Sequence, residues 1–193
     1  MKAILLDRDG VINPLIDTSE GKISPQNIEE FKLFDGVKNK LKEAKRAGFA
    51  LIIFTNQPDV QKTWRELNEE NIKDINEFIL DIGIDAVYAC THGPIGDKEN
   101  NHYRENGKIM VCDCRKPQPG LIEKVSEDFT IDFSRSYVIG DSCKDLEAAS
   151  RFEEKHEANF KAKFSVGKDL ENADRTVDNV NTAINKIIEG EQS

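Results

Sequence analysis

The apolar run Ala3-Ile4-Leu5-Leu6 passes without a break into Asp7-Arg8-Asp9-Gly10-Val11-Ile12-Asn13. Four consecutive apolar residues read as a strand buried in a sheet. This one delivers two carboxylates, two residues apart, to its end, and Gly10 lets the backbone turn sharply beyond them. The strand signal recurs at Phe49–Phe54, Ala86–Ala89 and Tyr137–Ile139, and more weakly at Ala162–Val166. Helical patterns lie between. Asp35 sits as an N-cap before Val37, Leu41, Ala44 and Ala47, and Gly48 stops that helix. Thr63 and Glu66 have capping-box spacing ahead of Leu67, Ile72, Ile75, Phe78, Ile79 and Ile82, and Gly83 stops that one. Further helices are expected around Leu121–Val125, from near Lys144, and over about 178–189. Residues 93–111 are polar and rich in Gly and Asn and read as a loop. Strands separated by helices specify a parallel sheet covered on both faces. The expectation is therefore a single α/β domain over residues 1–193, a Rossmann-like three-layer sandwich without a separate cap domain.

A chain of 193 residues is long enough for one domain with a substantial core. Its 27 basic and 36 acidic residues leave a net charge of −9, which argues against a nucleic-acid partner. The start lacks a basic stretch followed by a long apolar run, and no segment approaches the ~20 apolar residues of a membrane span. A cytoplasmic monomer with no membrane partner is expected. In that setting Cys90, Cys112, Cys114 and Cys143 point to metal binding or burial rather than disulfides.

In open α/β sheets ligands bind beyond the carboxyl ends of the strands, and four polar motifs fall there. In Asp7-x-Asp9 one acid can attack phosphorus while the other moves protons, and the pair can also hold Mg²⁺. Thr55-Asn56-Gln57 offers a hydroxyl and backbone N–H groups to a phosphate. Lys116, in Arg115-Lys116-Pro117, can neutralise charge on a transferring phosphoryl group. Asp141 and Asp145, four apart, share a face where a helix has begun. Each motif alone also fits an ordinary turn, cap or solvated surface. Cys90-Thr91-His92 and Cys112-Asp113-Cys114 supply three thiols and an imidazole, a closed tetrahedral zinc set. Their spacing leaves open the plainer reading of buried cysteines beside a surface His, and His102 is a second choice to His92.

Taken in order, these motifs resemble the haloacid dehalogenase superfamily of phosphatases from residue 3 to about 150. Asp7–Asn13, Thr55-Asn56-Gln57-Pro58-Asp59-Val60 and Cys112–Pro117 look like the branch that holds the heptose bisphosphate phosphatases and the histidinol-phosphatase domain. The resemblance implies Asp7 as nucleophile and Asp9 as acid and base. Thr55 and Lys116 would grip the phosphoryl oxygens, and Arg8, Asn56, Gln57 and Arg115 would meet the substrate. Asp7, Asp9 (through its carbonyl) and Asp141 would hold Mg²⁺, with Asp145 in support. The branch also implies Zn²⁺ on Cys90, His92, Cys112 and Cys114, making 90–114 a zinc-binding insertion that pins the polar loop. The implied activity is hydrolysis of a small phosphorylated sugar, a heptose bisphosphate first. The alternatives are histidinol phosphate as substrate, or a degenerate member that only binds.

Overall fold

A computed structural model describes residues 1–19, 21–62, 65–93, 102–105 and 108–191. The central sheet has six strands in the order β10-β9-β8-β1-β4-β5, all parallel. They are β1 (Ala3–Leu6), β4 (Ala50–Asn56), β5 (Ala86–Cys90), β8 (Tyr137–Gly140), β9 (Ala162–Val166) and β10 (Arg175–Val177). Two antiparallel hairpins stand outside it, β2–β3 (Ile16–Thr18 and Gly21–Ile23) and β6–β7 (His102–Glu105 and Lys108–Val111). The helices are α1 (Val37–Arg46), α2 (Glu69–Asp81), α3 (Gly120–Asp128), α4 (Cys143–His156) and α5 (Val180–Gly190).

The apolar run of β1 explains the layering. Side chains alternate across a strand. Ile4 and Leu6 join one core with Val37 and Leu41 of α1, Ile75 of α2 and Ile184 of α5. Ala3 and Leu5 join the other with Ile122 of α3 and Leu146 and Phe152 of α4. A strand covered on both faces has no polar face to show, so it reads as a continuous apolar run. β1 lies between β8 and β4, and the chain winds outward from it in both directions. This is the switch point at which a crevice opens beyond the strand ends. Asp7, Thr55 and Asp141 all lie at that edge.

Several boundaries differ from expectation. Gly36, in the left-handed region at φ 78°, caps α1 in place of Asp35. α2 begins at Glu69, where the Asn68 side chain accepts from the Asn71 N–H at 2.9 Å. Glu66 therefore precedes the helix, and Thr63 lies outside the described residues. The segment 93–111, expected to be all loop, contains the β6–β7 hairpin; residues 94–101, 106 and 107 and the His102 side chain lie outside the described residues. β2–β3 and β10 were not expected. These strands are three residues long and mostly exposed, so no apolar pattern announces them. No described helix is long and apolar enough to cross a membrane.

Glu191, just after α5, ties the end of the chain to its start. Its carboxylate receives Lys2 and Lys161, each at 2.8 Å. The hydrogen bonds from Lys161 and Lys2 hold its pKa down at about 2, against a usual value of 4.5. A lowered folded-state pKa contributes stability that is complete above the unfolded pKa and is lost as pH falls toward the folded one. Glu191→Gln should therefore cost about 1 kcal/mol at pH 7, a melting shift of roughly 2–4 °C. The gap to the parent protein should shrink between pH 5 and pH 3. A gap that does not change with pH would show that the contribution is not ionic.

Candidate active site

At the floor of the crevice, Lys116 is 3% exposed. Its ammonium donates to Asp7 Oδ1 at 2.8 Å, Asp145 Oδ1 at 2.5 Å and the Phe54 carbonyl at 2.9 Å. Burial alone would push this ammonium's pKa down, but the charges of Asp145 and Asp7 outweigh burial and hold it above its ordinary value. Asn56, at the end of β4, fixes the backbone beneath it. Its amide donates to the Lys116 carbonyl at 3.1 Å and accepts from the Lys116 N–H at 3.0 Å. Asn56 lines the cleft, but its amide is committed to Lys116, so it braces the lysine where a substrate contact was expected.

Asp7 lies at the end of β1 and its backbone N–H donates to the Ile139 carbonyl of β8 at 2.9 Å. Burial, then the Asp145 charge, raise its pKa to about 7 against the pull of Lys116. Asp141 follows β8, and burial and Asp145 raise it to about 6 against Lys168 and Lys116. Asp145 is held by Lys116 and by the Ser142 N–H and hydroxyl at 2.9 and 2.7 Å, in the capping box that opens α4. Oxygens of Asp7, Asp141 and Asp145 lie within 4.8 Å of one another. Three carboxylates around one ammonium leave excess negative charge, which shows in the raised Asp7 and Asp141. An all-oxygen set of this charge fits a hard divalent cation.

Asp9 sits in a cage of donors. Arg8 pairs with it through Nε at 3.2 Å and Nη2 at 2.9 Å, Asn13 and Ser24 donate at 2.8 Å each, and Gln57 at 2.7 Å. Burial pushes its carboxyl up, but Arg8 and the hydrogen bonds from Asn13 and Gln57 outweigh it and hold the pKa below the usual value. Arg8 and Gln57, expected to meet substrate, are fully buried. Arg8 turns inward onto Asp9, with Phe31 against its guanidinium at 5.8 Å. Gln57 turns onto Asp9 and Thr55. A buried charge needs a partner, and the adjacent carboxylate provides it. The continuous apolar surroundings, Val11-Ile12 and Phe31, were the sequence signal for this burial. Ser24, which closes the cage from the end of β3, was missed; it follows a hairpin the sequence did not announce.

Thr55 Oγ1 accepts from Gln57 Nε2 at 3.0 Å, so its own hydrogen is left to donate outward. The cleft above these groups has a volume of about 490 Å³, and Lys22, Lys62, Arg65, Arg115 and Lys144 stand around it. Arg115 donates to the His92 carbonyl at 3.0 Å. That contact joins the cleft to a second cluster. His92 Nδ1 lies 3.6, 3.0 and 3.2 Å from the sulfurs of Cys90, Cys112 and Cys114, and Cys112 lies 3.6 Å from Cys90 and 3.2 Å from Cys114. All three cysteines are buried and none is in a disulfide. Burial raises the Cys112 thiol pKa, and Cys90, then burial, raise that of Cys114, so these thiols resist ionisation without a cation beside them. A tetrahedral ion with Zn–S bonds of about 2.3 Å separates its sulfurs by roughly 3.8 Å. The cluster is slightly tighter than that and fits zinc in donor type and number. Cys143 stands apart from this set, and it is exposed at the start of α4, where burial was expected.

The family model for polynucleotide kinase 3 phosphatase matches residues 4–184. The D-glycero-beta-D-manno-heptose-1,7-bisphosphate 7-phosphatase of Escherichia coli (strain K12) is 36% identical over 151 residues, 76% of this chain and 72% of that protein. The chain belongs to this family of haloacid dehalogenase-like phosphatases. The phosphatase of the same name from Salmonella typhi is 35% identical over 77% of this chain and 74% of its own length. Among solved structures, the D,D-heptose 1,7-bisphosphate phosphatase of B. bronchiseptica, complexed with magnesium and phosphate, has the same fold. It superposes with a TM-score of 0.73 over 98% of this chain and 99% of its own, at 22% identity. The chain is thus a phosphatase by family, and the six-stranded parallel sheet flanked by helices is the family's Rossmann-like fold.

Gly10 has φ +86°, and a Cβ there would run into the Asp141 carboxylate. Gly10→Ala should cost about 1–2 kcal/mol for the left-handed backbone. Displacing Asp141 should also lower turnover by about 100-fold, the scale of a 1 Å misplacement. Denaturant melts and phosphate release on the same preparation check both, and full activity in the variant would remove Asp141 from the working site.

Proposed function

We propose that this phosphatase hydrolyses a phosphorylated sugar, a heptose 1,7-bisphosphate, through a phosphoryl group carried on Asp7. The observation that carries the reading is the buried Lys116 bridging Asp7 and Asp145, with Asp141 alongside, at the carboxyl end of β1. The sugar is taken from the curated relatives at 35–36% identity. The protein would work as a cytoplasmic monomer on this small molecule, with no part for nucleic acid or membrane; the net charge of −9 supports that exclusion.

Asp7 Oδ attacks phosphorus, the ester bond breaks, and Asp9, which must first take up a proton against the pull of Arg8, Asn13 and Gln57, gives it to the departing sugar oxygen. Asp9 then takes a proton from water as that water attacks the aspartyl-phosphate, releasing phosphate and restoring Asp7. The Thr55 hydroxyl would hold one phosphoryl oxygen, and Lys116, whose three N–H donors go to Asp7, Asp145 and the Phe54 carbonyl, would reach another by giving up its bond to Asp7 as that carboxylate turns to phosphorus. Arg115 meets the rest of the substrate. Asp7, the Asp9 carbonyl and Asp141 would hold Mg²⁺ with Asp145 in support; when bound, the ion offsets the repulsion between a dianionic phosphate and a carboxylate nucleophile. Cys90, His92, Cys112 and Cys114 would hold a structural Zn²⁺ that fixes Arg115 and Lys116, one and two residues beyond Cys114.

A phosphate-release screen with and without Mg²⁺ should give its highest kcat/KM on heptose 1,7-bisphosphate, above histidinol phosphate and 3′-phosphorylated oligonucleotides. A better rate on either of the other two would replace the substrate assignment. Asp7→Asn should abolish turnover while the protein stays folded, and retention of parental rates would assign the nucleophile elsewhere.

The zinc reading predicts about one zinc ion per chain by elemental analysis, with four protein ligands. Stripping it with a strong chelator should lower the melting temperature and the activity together. Unchanged melting and turnover in metal-free protein would refute a structural ion.

A further inference from the structure

Gln57 has no place in the chemistry as described, yet it makes more contacts to the site than a turn residue needs. It is fully buried. Its Nε2 donates to Asp9 Oδ2 at 2.7 Å and to Thr55 Oγ1 at 3.0 Å. Its backbone N–H donates to the Cys90 carbonyl at 2.7 Å. One amide therefore touches the proton carrier and the phosphate-gripping hydroxyl at once, and its backbone is fixed to a residue of the Cys/His cluster. Its Oε1 is buried and, among the described residues, has no hydrogen-bond partner. An unmet buried acceptor is costly, so the amide is held in this orientation by what Nε2 does.

We infer that Gln57 is the positioning residue of this active site, setting Asp9 and Thr55 at a fixed separation so that proton transfer and phosphoryl grip act on the same ester. The inference rests on the proposed acid and base role of Asp9. The Arg8 pair supplies Asp9 with charge and Ser24 ties it to the hairpin, but only Gln57 also reaches the phosphate-binding hydroxyl. Removing the amide leaves Asp9 on Arg8, Asn13 and Ser24 but breaks its link to Thr55, and leaves Thr55 without the hydrogen bond that orients its hydroxyl.

The test uses leaving-group dependence. A sugar alkoxide leaves poorly and needs the proton from Asp9, whereas a nitrophenolate leaves well without it. kcat/KM reports steps only as far as ester cleavage. Gln57→Met, close to isosteric, is compared with the parent on a hexose phosphate and on p-nitrophenyl phosphate, with melting temperature and zinc content recorded. The expected result is a loss of kcat/KM at least tenfold greater on the sugar phosphate than on the aryl ester, within the ~10²–10⁴ that general acid–base catalysis contributes. Equal losses on both substrates would overturn the inference and leave Gln57 a packing residue. If Gln57→Met does not fold, Gln57→Asn, whose donor is drawn back by one methylene, is measured in its place and judged in the same way. Asp9→Asn on the same pair separates the two ideas. Selectivity in Asp9→Asn without selectivity in the Gln57 variant refutes the positioning role alone. Equal losses in Asp9→Asn refute the acid and base assignment beneath it.

Discussion

The ammonium of Lys116 is the contact on which the site depends. It is buried against two carboxylates and a carbonyl, where a lone charge would cost several kcal/mol. Pairing offsets that cost on Lys116 but not on the acids, which outnumber it. Asp7, Asp141 and Asp145 come from the ends of β1 and β8 and the first turn of α4, so the sheet fixes their crowding and side-chain rotation cannot relieve it. Burial first, and the Asp145 charge second, keep the pKa values of Asp7 and Asp141 raised. A divalent cation among these oxygens would relieve the repulsion and favour the ionised form of Asp7.

Lys116 in turn is held from the end of β4 and from the cluster beside it. The Asn56 amide clamps its backbone on one side, and on the other it follows Cys114 by two residues. The same cluster reaches Asp9 through the Cys90 carbonyl and Gln57, and reaches Arg115 through the His92 carbonyl. Lys116, Asp9 and Arg115 are thus all referred to one small cluster of sulfurs and an imidazole. A polar segment with little apolar surface to bury cannot hold such positions by packing. A four-ligand metal site at the end of β5 and directly before Arg115 would replace packing with bonds.

The parts of this design that were legible in the sequence are those buried on both sides. β1, β4 and β8 are apolar runs because helices cover both their faces, and the acids and hydroxyl at their ends follow from the chain's direction. The illegible parts are held by polar or local contacts. β2–β3 is a three-residue hairpin with no buried face, β10 is a short strand at the sheet's edge, and α2 takes its cap from Asn68 rather than Thr63. The same cause misplaced Arg8 and Gln57. A charged or amide side chain beside a nucleophile suggests contact with substrate, and only the folded neighbourhood shows that Asp9 and Thr55 meet it from behind. Sequence spacing gives the end of the strand to which a side chain belongs, not the side of the strand it faces.

The net charge of the chain disfavours an extended polyanion, but a small anion in the cleft answers to the charges beside it. At physiological ionic strength exposed charges are screened over about 8 Å, so charges near the cleft act on a bound anion more than distant ones. Lys22, Lys62, Arg65, Arg115 and Lys144 stand around the opening itself. Lys62 is paired with Asp59 at 2.5 Å and Lys22 lies 3.8 Å from Asp17. Arg115 is anchored by a carbonyl, and among the described residues no carboxylate pairs with it. Its positive charge therefore stays available at the mouth while Lys116 is neutralised at the floor. A substrate carrying a phosphate at each end fits such an arrangement better than one with a single phosphate. The floor would take the phosphate to be transferred, and Arg115, fixed in direction by the metal-ligand loop, would meet the other.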